Sequence, residues 1–236
     1  MRITLIQLDQ TGPRLADRFE RYPAQFQTLF AAAGANFDWD RIDILDGAAF
    51  PDPVGLETIL ITGSKYGVYD SPVWIEPLRA FIRAAYAAKT PMLGICFGHQ
   101  IMADALGGDV RLAPNGWQLG RQHYRLIDPP AAFRGLPAEI DLLASHQDQV
   151  LVPPACATTF LASPGCPHAG LVYESGAAIS LQPHPEFSRD YTAALVGMRE
   201  GDPLPAEEVA ALVDDIAGPV DDLAVARALM HFLTDT

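Results

Sequence analysis

No stretch of this 236-residue chain approaches the roughly 18 uninterrupted apolar residues that a membrane-spanning helix needs, although 49% of it is hydrophobic. That much apolar side chain is enough for a full core in one domain, so a bilayer is not an expected surrounding. Positive charge is scarce. Sixteen Lys and Arg face 29 Asp and Glu, a formal net charge of −13. Such a balance disfavours phosphate backbones and anionic lipid, so neither nucleic acid nor a membrane surface is an expected partner. Cysteine is scarce too: Cys96, Cys156 and Cys166 are all there is. An odd count suits a reducing, cytoplasmic setting better than a disulfide framework. A strand-like run, Arg2 to Leu8, begins at the second residue, so no cleaved leader is expected. The phosphate-cradling pattern Gly-x-x-x-x-Gly-Lys-Ser/Thr does not occur, and a nucleotide-driven step would have to belong to another protein. Internal repeats and low-complexity linkers are missing as well.

What is present is concentrated in Gly94-Ile95-Cys96-Phe97-Gly98-His99-Gln100. The run Pro91 to Ile95 reads as a buried strand, and Phe97 to Leu106 as a helix ended by Gly107-Gly108. A side chain at such a corner is pushed outward on a tight turn, and glycine two places before and after removes the Cβ atoms that would clash. Helix amides and the helix dipole favour thiolate, the nucleophilic form of cysteine. Cys96 is the candidate nucleophile.

A base, and a group to orient it, are then required. Both occur in Leu181-Gln182-Pro183-His184-Pro185-Glu186-Phe187, after a strand-like Gly176 to Leu181. Prolines on both sides of His184 favour extended backbone, in which residues two apart point the same way. His184 and Glu186 are therefore expected to act together, the carboxylate on one ring nitrogen and Cys96 facing the other. A buried small hydrophobe and an unrelated loop histidine are the bland alternative.

Gly-x-Cys-x-Gly-x-Gln followed by His-Pro-Glu resembles the class I, triad-type glutamine amidotransferases, most closely their GMP-synthase-like and γ-glutamyl-peptidase-like branches. The resemblance covers most of residues 1 to about 195 and implies a Cys96–His184–Glu186 triad. It also implies a γ-glutamyl thioester formed from glutamine or a γ-glutamyl compound, without metal or cofactor. Thr58 to Thr62 reads as a strand entering Gly63-Ser64-Lys65-Tyr66-Gly67. In the family, the loop after this strand and the residue after the cysteine offer backbone N–H groups to the oxyanion. That implies Ser64 and Phe97 as donors, with Gly63 allowing the turn. Many relatives carry a second glycine where Ser64 stands. Ala144 to Val150 resembles the family's Ser-His-x-Asp-x-Val loop, which holds the α-amino and α-carboxylate groups of the substrate. Ser145, Gln147 and Asp148 are so implied as contacts, with Gln100 as a further side-chain contact. The resemblance leaves three activities open: an amidotransferase subunit feeding ammonia to a synthetase partner, a stand-alone γ-glutamyl peptidase, or a silent regulatory homologue.

Strand and helix patterns alternate: a helix over 17–33, a strand over 41–45, a helix over 73–88. Alternation of this kind predicts an α/β fold, a mostly parallel sheet flanked by helices, flavodoxin-like as in the family, with the site at the strands' carboxyl ends. Between Val110 and Leu181 short strands such as Gln122 to Ile127 indicate a small antiparallel insertion. The whole of 1–236 reads as one domain in which 201–236 is a C-terminal helical extension. There, Val209, Leu212, Val213 and Ile216, then Leu223, Val225, Leu229, Phe232 and Leu233, make two apolar helical stripes. Covering the sheet is the plainer reading of these helices, and docking a partner the sharper one. Tyr66, Tyr69, Trp117 and Gln118 are candidates for the mouth of the site. His99 and His146 read as packing or support. Cys156, Cys166 and His168 match no usual zinc spacing, so no metal site is expected.

Overall fold

A computed structural model describes residues 1–235. Its centre is built from three four-residue strands with every residue buried: β3 (Thr58–Ile61), β4 (Met92–Ile95) and β11 (Ala178–Leu181). Strands covered on both faces carry continuous apolar runs, which is why these segments lack the alternation of a surface strand. Beside β3 lie β1 (Arg2–Gln7) and, at the edge, β2 (Asp38–Asp43), and all five are parallel.

Alternate side chains feed two cores, as the pleat requires. Leu5, Leu60, Leu93 and Ile179 join one core, and Ile6, Ile59, Ile61, Met92 and Ala178 the other. Helices α2 (Ile75–Ala88) and α3 (Phe97–Ala105) cover the second face. On the first face lie α1 (Tyr22–Ala32), α4 (Arg189–Gly197), α5 (Ala206–Ile216) and α6 (Asp222–Thr234). Val209, Ile216, Val225, Leu229 and Leu233 are buried in that core, so both C-terminal helices lie against the sheet.

The chain between α3 and β11 is antiparallel. Strands β10 (Gly170–Tyr173), β9 (Ala157–Ala162), β6 (Gln118–Leu126) and β7 (Glu139–His146) extend the parallel strands from β11 outward. The whole is a nine-stranded sheet in the order β2-β1-β3-β4-β11-β10-β9-β6-β7. The short β5 (Asp109–Leu112) pairs with β8 (Asp148–Val152) in a separate ribbon. The insertion is thus half a sheet rather than an appendage, because its edge is paired with β11 and hidden.

Several element boundaries shift by a few residues from the sequence reading, and two of the shifts have a visible cause. Helix α1 starts at Tyr22, not Asp17, since Pro23 stands at its first turn, where a missing N–H is harmless. Strand β2 runs from Asp38 to Asp43 rather than over 41–45, because it pairs residue by residue with β1, Arg2 against Asp38 and Gln7 against Asp43. No helix among the described residues is long and apolar enough to cross a membrane.

Register sets what happens at the carboxyl ends. Gly94 lies beside both Ile61 and Ser180, and Ile95 beside Leu181. Three chain segments therefore leave the sheet side by side, at residues 62–64, 96–97 and 182–184.

Candidate active site

Cys96 sits at the corner between β4 and α3 with φ 54° and ψ −104°, a region that non-glycine residues avoid. The corner is pinned on both sides. The Cys96 N–H donates to the Leu181 carbonyl at 2.8 Å, and the Gln100 N–H donates to the Cys96 carbonyl at 3.0 Å. The flanking glycines are needed by packing. A Cβ on Gly94 would lie 2.6 Å from backbone atoms of Gly98, and one on Gly98 would overlap the Ile61 carbonyl. Helix α3 can approach β3 and β4 only without those carbons.

His184 is held from three directions. Its N–H donates to the Leu143 carbonyl at 2.8 Å, its Nδ1 lies 2.7 Å from Glu186 Oε1, and its ring stacks on Phe187 with centroids 3.8 Å apart. Extended backbone does not bring His184 and Glu186 together, contrary to the expectation from the flanking prolines. A turn does, with the Phe187 N–H directed back at the His184 carbonyl. The second side-chain partner of the imidazole is the Cys96 thiol. Burial alone would strip the ring of its proton, but Glu186 and Cys96 outweigh it and raise the His184 pKa above the ordinary 6.5. A proton is thereby kept beside the sulfur. Gln182 adds a contact from the same loop, Nε2 to Sγ at 3.6 Å.

The loop after β3 approaches the same place. Its Ser64 hydroxyl donates to the Leu8 carbonyl at 3.0 Å, and the Lys65 N–H donates to Asp9 at 2.8 Å. The Gly63 N–H donates to the Tyr22 hydroxyl at 3.2 Å, and a Cβ on Gly63 would run into that hydroxyl. Among the described residues, the N–H groups of Ser64 and Phe97 have no protein acceptor.

A cavity of about 440 Å³ opens above the sulfur, lined by Cys96, Ser64, Gln100, Ser145, Gln147 and Asp148. Tyr66, Tyr69 and Trp117 also line it. Gln118 turns away, its amide directed at the Trp117 carbonyl. Ser145 to Asp148 forms not a loop but a one-residue corner, Gln147, between β7 and β8. Both strands are paired there, which leaves no slack for a longer turn. The Gln100 amide donates to the Asp148 carbonyl at 2.8 Å and to Gln182 at 3.2 Å, so it ties the corner to the histidine loop. Asp148 accepts from the Tyr69 hydroxyl at 2.8 Å, and burial raises its pKa despite that bond.

His99 and His146 are buried and neutral, with pKa values lowered to about 3 chiefly by burial. His99 pairs with Ser180 at 2.8 Å and His146 with the Asp148 carbonyl at 3.1 Å. His168 pairs with Thr159 at 2.7 Å, and burial pushes the Cys166 thiol up to about 12.

The family profile "Glutamine amidotransferase class-I" matches residues 41–194. The chain belongs to the class-I glutamine amidotransferase family. A Saccharomyces cerevisiae protein provisionally named a glutamine amidotransferase is 36% identical over 136 residues, 56% of this chain and 53% of its own. The chain thus spans about half of that relative's length. Gamma-glutamyl peptidase 3 of Arabidopsis thaliana is 29% identical over 72% of this chain and 71% of its own. A glutamine-hydrolysing GMP synthase subunit of Saccharolobus solfataricus is 29% identical over 55% of this chain and 67% of its own. Both branches named from the motifs are therefore represented. The fold is shared with a crystal structure of a glutamine amidotransferase from Methylobacillus flagellatus, at a TM-score of 0.77 and 20% identity, covering 99% of this chain and 94% of that one.

In this member of the class-I family, sequence reading missed three side chains around the candidate triad. Gln182 and Phe187 stood inside the histidine motif and could have been found there. Tyr22 could not, being 164 residues from its partner with no motif around it. Its hydroxyl donates to Glu186 Oε1 at 3.1 Å and accepts from the Gly63 N–H, so one oxygen joins the carboxylate to the loop before Ser64. Replacing Tyr22 by Phe leaves a buried carboxylate and a buried N–H each short of a partner. We expect a kcat lowered about 10-fold or more with KM within about 2-fold, and a stability loss of about 1–3 kcal/mol. Steady-state kinetics and thermal melts check both, and an unchanged kcat would refute the link.

Proposed function

We propose that this chain hydrolyses a γ-glutamyl amide through a thioester on Cys96. The observation that carries the reading is His184, which has Glu186 on one side and the Cys96 thiol on the other. The thiolate attacks the γ-carboxamide carbon, and the Ser64 and Phe97 N–H groups stabilise the oxyanion, each such donor being worth about 10²–10³ in rate. His184 gives its proton to the leaving nitrogen as the C–N bond breaks. Water, deprotonated by His184, then attacks the thioester, and glutamate leaves as the thiol is restored. Glu186 keeps the ring oriented and stabilises the imidazolium. Ser145, Gln147 and Asp148 hold the glutamyl α-amino and α-carboxylate groups, and Gln100 holds their corner in place.

Likeness to a γ-glutamyl peptidase supports release of an amine without transfer. A second reading, in which the chain passes ammonia to a synthetase partner, is supported by its likeness to the GMP synthase subunit. Purified chain incubated with glutamine, or with a γ-glutamyl dipeptide, should release glutamate. A diazoketone analogue of glutamine should alkylate the Cys96 sulfur with loss of N2, adding the reagent's mass less N2 to the peptide containing Cys96. Fast dipeptide turnover by the chain alone favours the first reading, and glutamine turnover that needs a synthetase favours the second. No glutamate from either substrate, together with no adduct at Cys96, would end both.

A further inference from the structure

The cavity above Cys96 contains a guanidinium for which the hydrolysis just described has no task. Arg199 lies just beyond α4, is half-buried, and lines the cavity with Cys96, Trp117 and Gln147. Its guanidinium carbon is 3.9 Å from the centroid of the Trp117 ring, and stacking of that kind orients the planar fork. The other arginines of similar burial are fully engaged. Arg79 pairs with Glu76 and Asp104, and Arg121 with Asp141 and Asp215. Among the described residues the Arg199 guanidinium has no hydrogen-bond acceptor and no ion pair, and Asp202 attracts it only through space. This is unexpected in a chain with 29 acidic residues against 16 basic ones. A cation drawn from water without a partner is costly, and a carboxylate docking on both edges of the fork offsets that cost.

We propose that Arg199 binds a carboxylate on the leaving group, which makes the substrate a γ-glutamyl amino acid or peptide rather than free glutamine. This rests on the γ-glutamyl hydrolysis proposed above. The glutamyl end already has Ser145, Gln147 and Asp148 for its two charges. Free glutamine loses only ammonia and offers no second carboxylate, whereas an amino acid leaving group carries one close to the scissile nitrogen. Arg199 and Cys96 line the same cavity, so a group bonded to the scissile nitrogen would share it with the guanidinium. At about 440 Å³ the cavity falls in the range that encloses ligands larger than one amino acid.

The test compares γ-glutamylalanine with γ-glutamylalaninamide, in which the carboxylate is capped, on the purified full chain. Native protein should prefer the carboxylate in kcat/KM by about 10- to 100-fold, as for a hydrogen bond to a charged group. In Arg199→Gln that preference should fall to within about 3-fold of unity, and Arg199→Lys, which keeps the charge but not the fork, should retain an intermediate preference. Thermal melts establish that each variant is folded, and the lysine variant serves if the glutamine one is not. A native preference near unity overturns the proposal. So does an equal loss on both substrates in Arg199→Gln, which would put the arginine on the glutamyl α-carboxylate. Hydrolysis of both compounds without discrimination leaves the thioester chemistry standing, whereas hydrolysis of neither, with Cys96 unlabelled, removes that reading and this one together.

Discussion

Replacing Cys96 by Ala or Ser is expected to lower turnover of γ-glutamyl substrates by about 10⁴-fold or more, since loss of the nucleophile in a comparable triad removes all covalent chemistry. The fold should hardly notice. Alanine and serine are smaller than cysteine and inherit the same backbone at φ 54°. Besides its interaction with the His184 imidazole, the thiol has a 3.6 Å approach from the Gln182 amide, a weak contact to sulfur. The pair of measurements is therefore kcat/KM beside the thermal midpoint. A midpoint within about 2 °C of native with activity gone would tie the loss to chemistry, because a 1 kcal/mol change moves the midpoint of a domain this size by about 2–4 °C. Activity within 10-fold of native in either variant would dispose of the thioester mechanism.

The second large effect concerns stability. Gly98→Ala is expected to destabilise the protein by about 3 kcal/mol or more, lowering the midpoint by roughly 6–12 °C. Alanine has the better helix propensity, by about 1 kcal/mol. The added carbon, however, would overlap the Ile61 carbonyl, which belongs to a central strand and cannot swing aside as a side chain would. Relief requires α3 to lift from β3, and that shift carries the Cys96 corner with it, so activity should fall too. Gly197→Ala in α4 is the control. Nothing lies within 4 Å of its added Cβ, and it should be neutral or slightly stabilising. Equal midpoints for the two variants, measured by calorimetry, would mean that close approach of helix and strand does not explain the glycine at 98.

Local chemistry is what a sequence states most directly, and the parts of this protein that were legible are local. The cysteine between two glycines announced a strand-to-helix corner because that backbone tolerates no Cβ at 94 or 98. The buried runs at Thr58, Met92 and Ala178 were legible because a strand covered on both faces must be apolar throughout. His184 and Glu186 were joined correctly but for the wrong local reason, a turn at Pro185-Glu186 doing what extended backbone was expected to do. The corner at Gln147 was misread as a loop because pairing on both sides of it, to β6 and to β5, depends on residues far along the chain.

By itself the sequence determined which residue types were available, in what order, and on which kind of element each would stand. Only the folded sheet decided that they meet, since parallel register is what brings residues 63, 96 and 184 out on one rim. Tyr22 beside Glu186, and Arg199 stacked on Trp117 without a counter-charge, belong wholly to that second class. Neither contact leaves a mark on its neighbours in the chain, because a hydrogen bond or a stack across the tertiary structure constrains two side chains and nothing between them.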